Sequence, residues 1–403
     1  MASLMPLVHE SNYEKQKSAL VLDFEKFLAS NVGSGFRVTS TDPSMCVPDD
    51  IVKFLADRDM KGRTQSHAIG CSHLGKKGVF DCKCIVTLSA GTIDSYIGKL
   101  RAYFNSIGRN DAWRPNYKWG NPCDSLNVKQ YLKAMGLEQR AAHVSPSQAP
   151  PLFSDKLRLL VTEIKRQIRK TDDQTHYANI YVLKRDLAFF LVSWWAADRA
   201  GDLGKIMGVE MTKLPNGFLM MNHTLGKTIR ESRGELVIIP STPEDPVMDP
   251  ILALTNLVGF MKSHNLDPIS NYVFRPTQRP RHTTLSNKPF TSSDATSRMQ
   301  VYFSKLGLQD LKLTAHSARA GCATTLLLLG VSKDKVKAHA RWATDQMIKH
   351  YTRVDEVFSQ KETVAVLKNA VETYENGVCI SDSVSALYDI LNQGVGQSPA
   401  FTF

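Results

Sequence analysis

The chain has 403 residues, 42% apolar and 22% charged, a balance that suits a folded globular protein and excludes a disordered one. Its net charge of +11 is uneven: residues 1–150 carry 19 basic against 14 acidic side chains, residues 151–353 carry 29 against 18, and residues 354–403 carry 2 against 7. Two basic regions before an acidic tail suit a polyanionic partner for the former and a protein partner for the latter.

In chain order, the first predicted helix lies near 10–30, with Leu20, Phe24, Phe27 and Leu28 on one face. A second follows Pro48-Asp49-Asp50, an acidic start that suits a helix N-terminus. Residues 61–90 read as an insertion holding Cys71, His73, Cys82 and Cys84 around a GKKG turn. That cluster reads either as a zinc site or as a small reduced loop, the C-x-C gap being tighter than usual for zinc. The spacing of Ile93, Ile97, Leu100, Phe104 and Ile107 predicts a helix over 91–109, with Lys99, Arg101 and Arg109 on its other faces. Another helix is expected near 124–141, and AAHVSPSQAPPLF at 141–153 reads as a linker.

Helices are then expected over 154–207, and the run LAFFLVSWWAA at 187–197 is too short to span a bilayer and reads as a buried helix. The segments GFLMMNHT and LVIIP predict two strands joined by the turn LGKTIRESRGE. Helices follow near 249–264, 292–307, 316–329, 332–340 and 344–351, and the acidic tail carries Val384, Leu387, Ile390 and Leu391 as a narrow apolar stripe. The predicted class is mainly α with a small antiparallel β-sheet. Seven scattered cysteines without a secretory leader point to reduced thiols and an intracellular protein, nuclear if eukaryotic and cytoplasmic if prokaryotic. No membrane and no small-molecule partner is expected.

The segment 314–353 places His316, Arg319, Trp342 and Tyr351 in one compact stretch, and Arg199 in AADRAGDLGKI and Lys227 in TLGKTIR precede it. Singly each has a bland reading: a half-buried aromatic, a core tryptophan, an ion pair between Arg199 and Asp202 on a helix surface. Jointly, the order HSARAG … GV … W … Y resembles the tyrosine recombinase family, and most of all its Cre branch. The insertion-like stretch at 61–90 departs from the Cre pattern and suggests a eukaryotic transposon-type branch of that family, Crypton-like or DIRS-like.

The resemblance implies an all-helical core-binding domain over 1–145, a linker at 146–153, an α+β catalytic domain over 154–355 and a protomer-docking tail over 356–403. It implies a site-specific recombinase that breaks and rejoins double-stranded DNA without metal, ATP or other cofactor, as a homo-tetramer on two DNA sites, to integrate or excise a mobile element. In such an enzyme Tyr351 would be the nucleophile, forming a 3′-phosphotyrosyl link. Arg199 and Arg319 would clamp the non-bridging oxygens, since guanidinium is planar, always charged and bidentate. Lys227 would protonate the leaving 5′ oxygen, His316 would act in proton transfer, Trp342 would donate to the phosphate, and Asp202 would orient Arg199. Lys99, Arg101, Lys165 and Arg166 would meet the DNA backbone, with RPTQRPRH at 275–282 as a further basic face. The run KRQIRK at 165–170 reads equally as a solvated helix face or an import signal. The competing function is a domesticated DNA-binding protein that keeps the fold without turnover.

Overall fold

A computed structural model describes residues 12–31, 38–76, 79–144, 149–171, 177–226, 234–278, 285–345 and 348. The chain divides into two compact units, Met1–Ser147 and Gln148–Phe403.

Unit 1 is built from α1 (Asn12–Ser30), α2 (Pro48–Asp59), the short strands β1 (Thr64–Gln65) and β2 (Val86–Thr87), α3 (Ala90–Ser106) and α4 (Leu126–Ala141). Each helix start has a local cause. Pro48 opens α2, and Asp50 accepts from the Val47 N–H at 2.9 Å and from the Thr39 N–H at 2.7 Å. Ser89 and Ser125 cap α3 and α4 by accepting from Thr92 N and Val128 N. The core gathers the stripes of these helices: Phe24 meets Phe54 edge-on at 5.0 Å and Phe104 at 6.2 Å, with Leu28, Ile51, Ile93 and Ile97 buried around them. Ile107 departs from the predicted stripe and is exposed, because α3 ends at Ser106. The strands β1 and β2 pair antiparallel, Thr64 opposite Thr87, and close the 61–90 segment at its base.

Unit 2 follows with α5 (Ser154–Lys170), α6 (Tyr177–Trp195), α7 (Ala200–Leu203), β3 (Met211–Lys213), β4 (Phe218–His223), β5 (Glu235–Pro240), α8 (Pro250–Ser263), α9 (Ser292–Lys305), α10 (Ala315–Leu328) and α11 (Lys333–His339). Leu187 to Val192 are all buried, so α6 has no solvent face in that stretch and sits centrally against α5, α8 and α10. The sheet is an antiparallel meander, β3–β4–β5, with Met220 opposite Ile238. Leu219, Met221, Val237 and Ile239 point into the core, while Phe218, Leu236 and Ile238 point outward, the period-two pattern of a half-buried sheet. Asp249 caps α8 and also accepts from Ser241 Oγ at 2.6 Å and Thr242 N at 3.0 Å, tying that helix to the end of β5.

The mainly helical class with a small antiparallel sheet is observed, and β3 joins the two predicted strands as a third. Lys227, Tyr351 and the apolar stripe of the tail lie outside the described residues. Among the described residues no helix is long and apolar enough to cross a membrane.

Candidate functional site

The site forms where α6 gives way to α7. The chain reverses at Ala197, whose φ of 46° is left-handed, and leaves Asp198 and Arg199 at the turn. Arg199 is the N-cap residue of α7, and its Nη1 lies 3.5 Å from Asp202 Oδ2 one turn on. Four elements converge on this turn. From α10, Arg319 donates through Nη1 to Ala197 O at 2.9 Å and through Nη2 to Ala340 O, and its guanidinium carbon lies 5.5 Å from the Trp342 ring centre. From β4, His223 Nε2 lies 2.8 Å from Asp198 Oδ2. From beyond α11, Arg341 places Nη2 2.6 Å from Asp198 Oδ1 and Nε 3.3 Å from Glu235 Oε2 on β5. His339 sets Nε2 2.9 Å from Trp195 O, where the neutral ring donates.

The electrostatics follow from this packing. Burial alone would push the Asp198 carboxyl up, but the contact with His223 and the charge of Arg341 outweigh it and hold the group below the ordinary carboxylate range. Burial pulls the His339 imidazole down, with the charges of Arg341 and Arg319 acting in the same direction. Burial also pushes the Cys322 thiol up to about 12, so it is an inert core group rather than a nucleophile.

The structure therefore brings Arg199, Asp202, Arg319 and Trp342 around one turn, with His316 exposed one helical turn before Arg319. Arg319 is only 2% exposed and two of its arms are spent on main-chain carbonyls; Trp342 is buried beside it. Asp198, His223 and Arg341 belong to the same cluster and escaped the sequence reading.

The lysines and arginines expected to face DNA each bond within the chain. Lys99 is buried and donates to Gln16 Oε1 at 3.1 Å. Arg101 pairs with Asp124 at 2.7 Å, Lys165 donates to Pro246 O at 2.7 Å, and Arg166 grips Glu163 through two bonds. In the 275–282 stretch, Arg275 is buried and donates to Asp267 O at 2.9 Å, while residues 279–284 lie outside the described residues.

A second cluster lies in unit 1. One ligand atom each from His67, Cys71, Cys82 and Cys84 fall within 4.8 Å of one another, and His67 Nδ1 is 3.6 Å from Cys71 Sγ and 3.5 Å from Cys82 Sγ. Three thiols and an imidazole converging so tightly fit a closed tetrahedral zinc site. Gln65 braces the loop, accepting from Phe80 N at 2.7 Å and donating to Cys84 O at 3.1 Å. His73, which the sequence placed in this cluster, instead stacks on Phe80 with ring centres 4.4 Å apart.

The fold is similar to that of solved site-specific recombinases. XerH site-specific recombinase bound to difH substrate, in a pre-cleavage complex, superposes with a TM-score of 0.51 at 15% identity, covering 86% of this chain and 79% of that one. Its post-cleavage complex with palindromic difH gives 0.53 at 14% identity, covering 87% and 78%. At such identity the likeness is one of fold alone. The sequence comparisons point elsewhere: residues 2–136 match the family model of the ALOG domain. Protein LIGHT-DEPENDENT SHORT HYPOCOTYLS 8 of Arabidopsis thaliana is 31% identical over 99 residues, 24% of this chain and 57% of that protein. Protein G1-like9 of Oryza sativa subsp. indica is 29% identical over 137 residues, 34% of this chain and 44% of that protein. The chain thus spans little more than half of the length of these plant proteins, or less.

These matches correct two expectations, the active site-specific recombinase of a mobile element and the enzyme class itself. Sequence similarity joins residues 2–136 to the ALOG domain and parts of the chain to plant proteins whose names describe no recombinase, and recombinases are matched in fold only. Arg319, expected as a phosphate clamp, is buried and donates to the carbonyls of Ala197 and Ala340.

Proposed function

We propose that this chain is a DNA-binding protein that keeps the recombinase fold without breaking or rejoining DNA. The observation that carries this reading is the match of residues 2–136 to the ALOG domain, in a chain of recombinase-like fold and net charge +11. The guanidinium of Arg319, held on the carbonyls of Ala197 and Ala340, shapes the turn that presents Arg199. Arg199 and the exposed His316 are the phosphate-directed groups of this reading, and the contact is mostly electrostatic and independent of base sequence.

In this reading residues 1–145 form a DNA-clamping domain and residues 154–355 carry the Arg199 turn. Trp342 at the position nine residues before Tyr351 supports the Cre-like branch of the fold. His67, Cys71, Cys82 and Cys84 hold a structural zinc ion that fixes the 61–90 loop. The homo-tetramer is retained as a proposal, tested by the mass of the complex on duplex DNA.

The test of the main reading is a binding titration of the full chain on a mixed-sequence duplex at several salt concentrations. The reading expects log K to fall linearly with log salt, and Arg199→Ala to weaken binding and flatten that slope by about one phosphate contact. Salt-insensitive or absent binding contradicts it.

A further inference from the structure

Between α3 and α4 of unit 1 the chain makes a small, firmly built projection, residues 109–120, reading RNDAWRPNYKWG. Arg114 and Trp119 pair antiparallel, with Arg114 N donating to Trp119 O at 2.7 Å, and Ala112 bridges Asn121. Gly120 closes the loop at a φ of 99°, where a Cβ would stand 2.3 Å from Ala112 O. Beneath lies Arg109, 1% exposed, donating to the carbonyls of Gly120 (2.9 Å), Ser44 (3.0 Å) and Cys46 (2.8 Å). Its guanidinium carbon is within 5.3–5.7 Å of the ring centres of Phe104, Trp113 and Trp119.

What this scaffold presents is unusual for a surface loop. Tyr117 is 77% exposed and Trp119 47%, and the exposed Arg114 and Lys118 alternate with them. Among the described residues no carboxylate pairs with Arg109, so its buried charge adds to those of Arg114 and Lys118; Asp111 is the only acidic residue of the projection. Large apolar rings left in water on a pre-ordered backbone carry little ordering cost on binding, and cations beside them select an anionic partner.

We propose that this projection is a contact for unpaired nucleotides of DNA, with Tyr117 and Trp119 as stacking platforms and Arg114 and Lys118 on the phosphates. Flat π-faces interleaved with cations match a base-phosphate repeat, whereas a closed duplex offers only its phosphates because its base faces are already stacked. The proposal rests on the DNA-binding reading above and adds to it a preference for ends, overhangs or opened strands.

The experiment compares the full chain on a blunt 30-bp duplex and on the same duplex with a ten-nucleotide 3′ thymidine overhang, by fluorescence anisotropy. Expected is tighter binding to the overhang substrate, a gain that Tyr117→Ala reduces roughly tenfold, that Tyr117→Phe preserves, and that leaves blunt-duplex affinity unchanged within about twofold. Because Tyr117 lies on the surface, neither variant disturbs the core. Blunt-duplex binding with no overhang gain, or a gain that survives Tyr117→Ala, overturns this inference while leaving the DNA-binding reading intact. Absence of binding to both substrates overturns the two together.

Discussion

His223 Nε2 and Asp198 Oδ2 stand 2.8 Å apart in the interior of unit 2, and Arg341 reaches the other oxygen of the same carboxylate at 2.6 Å. Three residues from β4, the α6–α7 turn and the segment after α11 are thereby joined next to Arg199. A carboxylate removed from water in this way requires its partners, since its desolvation is offset by the hydrogen-bonded Arg341 guanidinium and the close contact with His223.

Removing one partner should therefore be costly. Arg341→Ala is expected to destabilise unit 2 by about 3–5 kcal/mol, and Arg341→Ala combined with Asp198→Asn by clearly less than the sum of the two single changes. Urea denaturation of the four proteins measures this; additive losses would show that the pair is not coupled.

The same cluster sets a dependence on pH. Asp198 lies below the ordinary carboxylate range, so its contribution is complete above about pH 4 and is lost as pH falls through the folded value. His339 has its pKa lowered by burial, so the fold prefers the neutral ring; stability is unaffected above about pH 6.5 and declines as pH drops below it. Melting temperature should be flat from pH 8 to 7 and fall as pH drops below about 6.5, and His339→Gln should flatten that decline. An unchanged slope in the variant would assign the decline to another group.

Gly321, in the HSARAG segment, faces the backbone of Leu152, and a Cβ there would lie 1.8 Å from the Leu152 carbonyl oxygen. That carbonyl already accepts from Trp194 Nε1 at 2.9 Å, and Leu152 N donates to Ser317 O at 2.8 Å. Gly321→Ala should cost more than about 3 kcal/mol or abolish soluble expression, because rigid main chain must move. Gly201→Ala, where a Cβ meets nothing within 4 Å, is the control and should be nearly neutral.

Zinc supplies a test of unit 1. Purified protein should contain about one zinc ion per chain, lost in Cys82→Ser, and chelation should expose the 61–90 loop to proteolysis while the α1–α4 core persists. Metal-free protein with an equally protected loop would assign the cluster to reduced thiols.

Much of this architecture was legible because the relevant signals are local. The strand pair was readable from the alternation in GFLMMNHT and LVIIP, and the unit 1 helices from spacings such as Leu20, Phe24, Phe27 and Leu28. Arg109 was misplaced because helical phase was extended past Ser106; Gly108 turns left-handed at a φ of 86° and carries Arg109 inward. His73 lies nearer Cys71 along the chain, but the loop returns His67 to the thiols and stacks His73 on Phe80. The Asp198–His223–Arg341 cluster joins residues far apart in sequence and has no local signature. The six motif positions stand in the order of a recombinase, but order does not report turnover. How Arg319 is held, with two bonds to the carbonyls of Ala197 and Ala340, is decided by tertiary packing.

The most direct measurement is a denaturing gel of the full chain incubated with a pool of labelled, nicked, mixed-sequence duplexes, with a native gel of the same samples beside it. A DNA-binding protein without turnover predicts a salt-sensitive complex on the native gel and no protein–DNA adduct after denaturation. A covalent adduct that resists denaturation and disappears in Tyr351→Phe would contradict the account and restore a working recombinase.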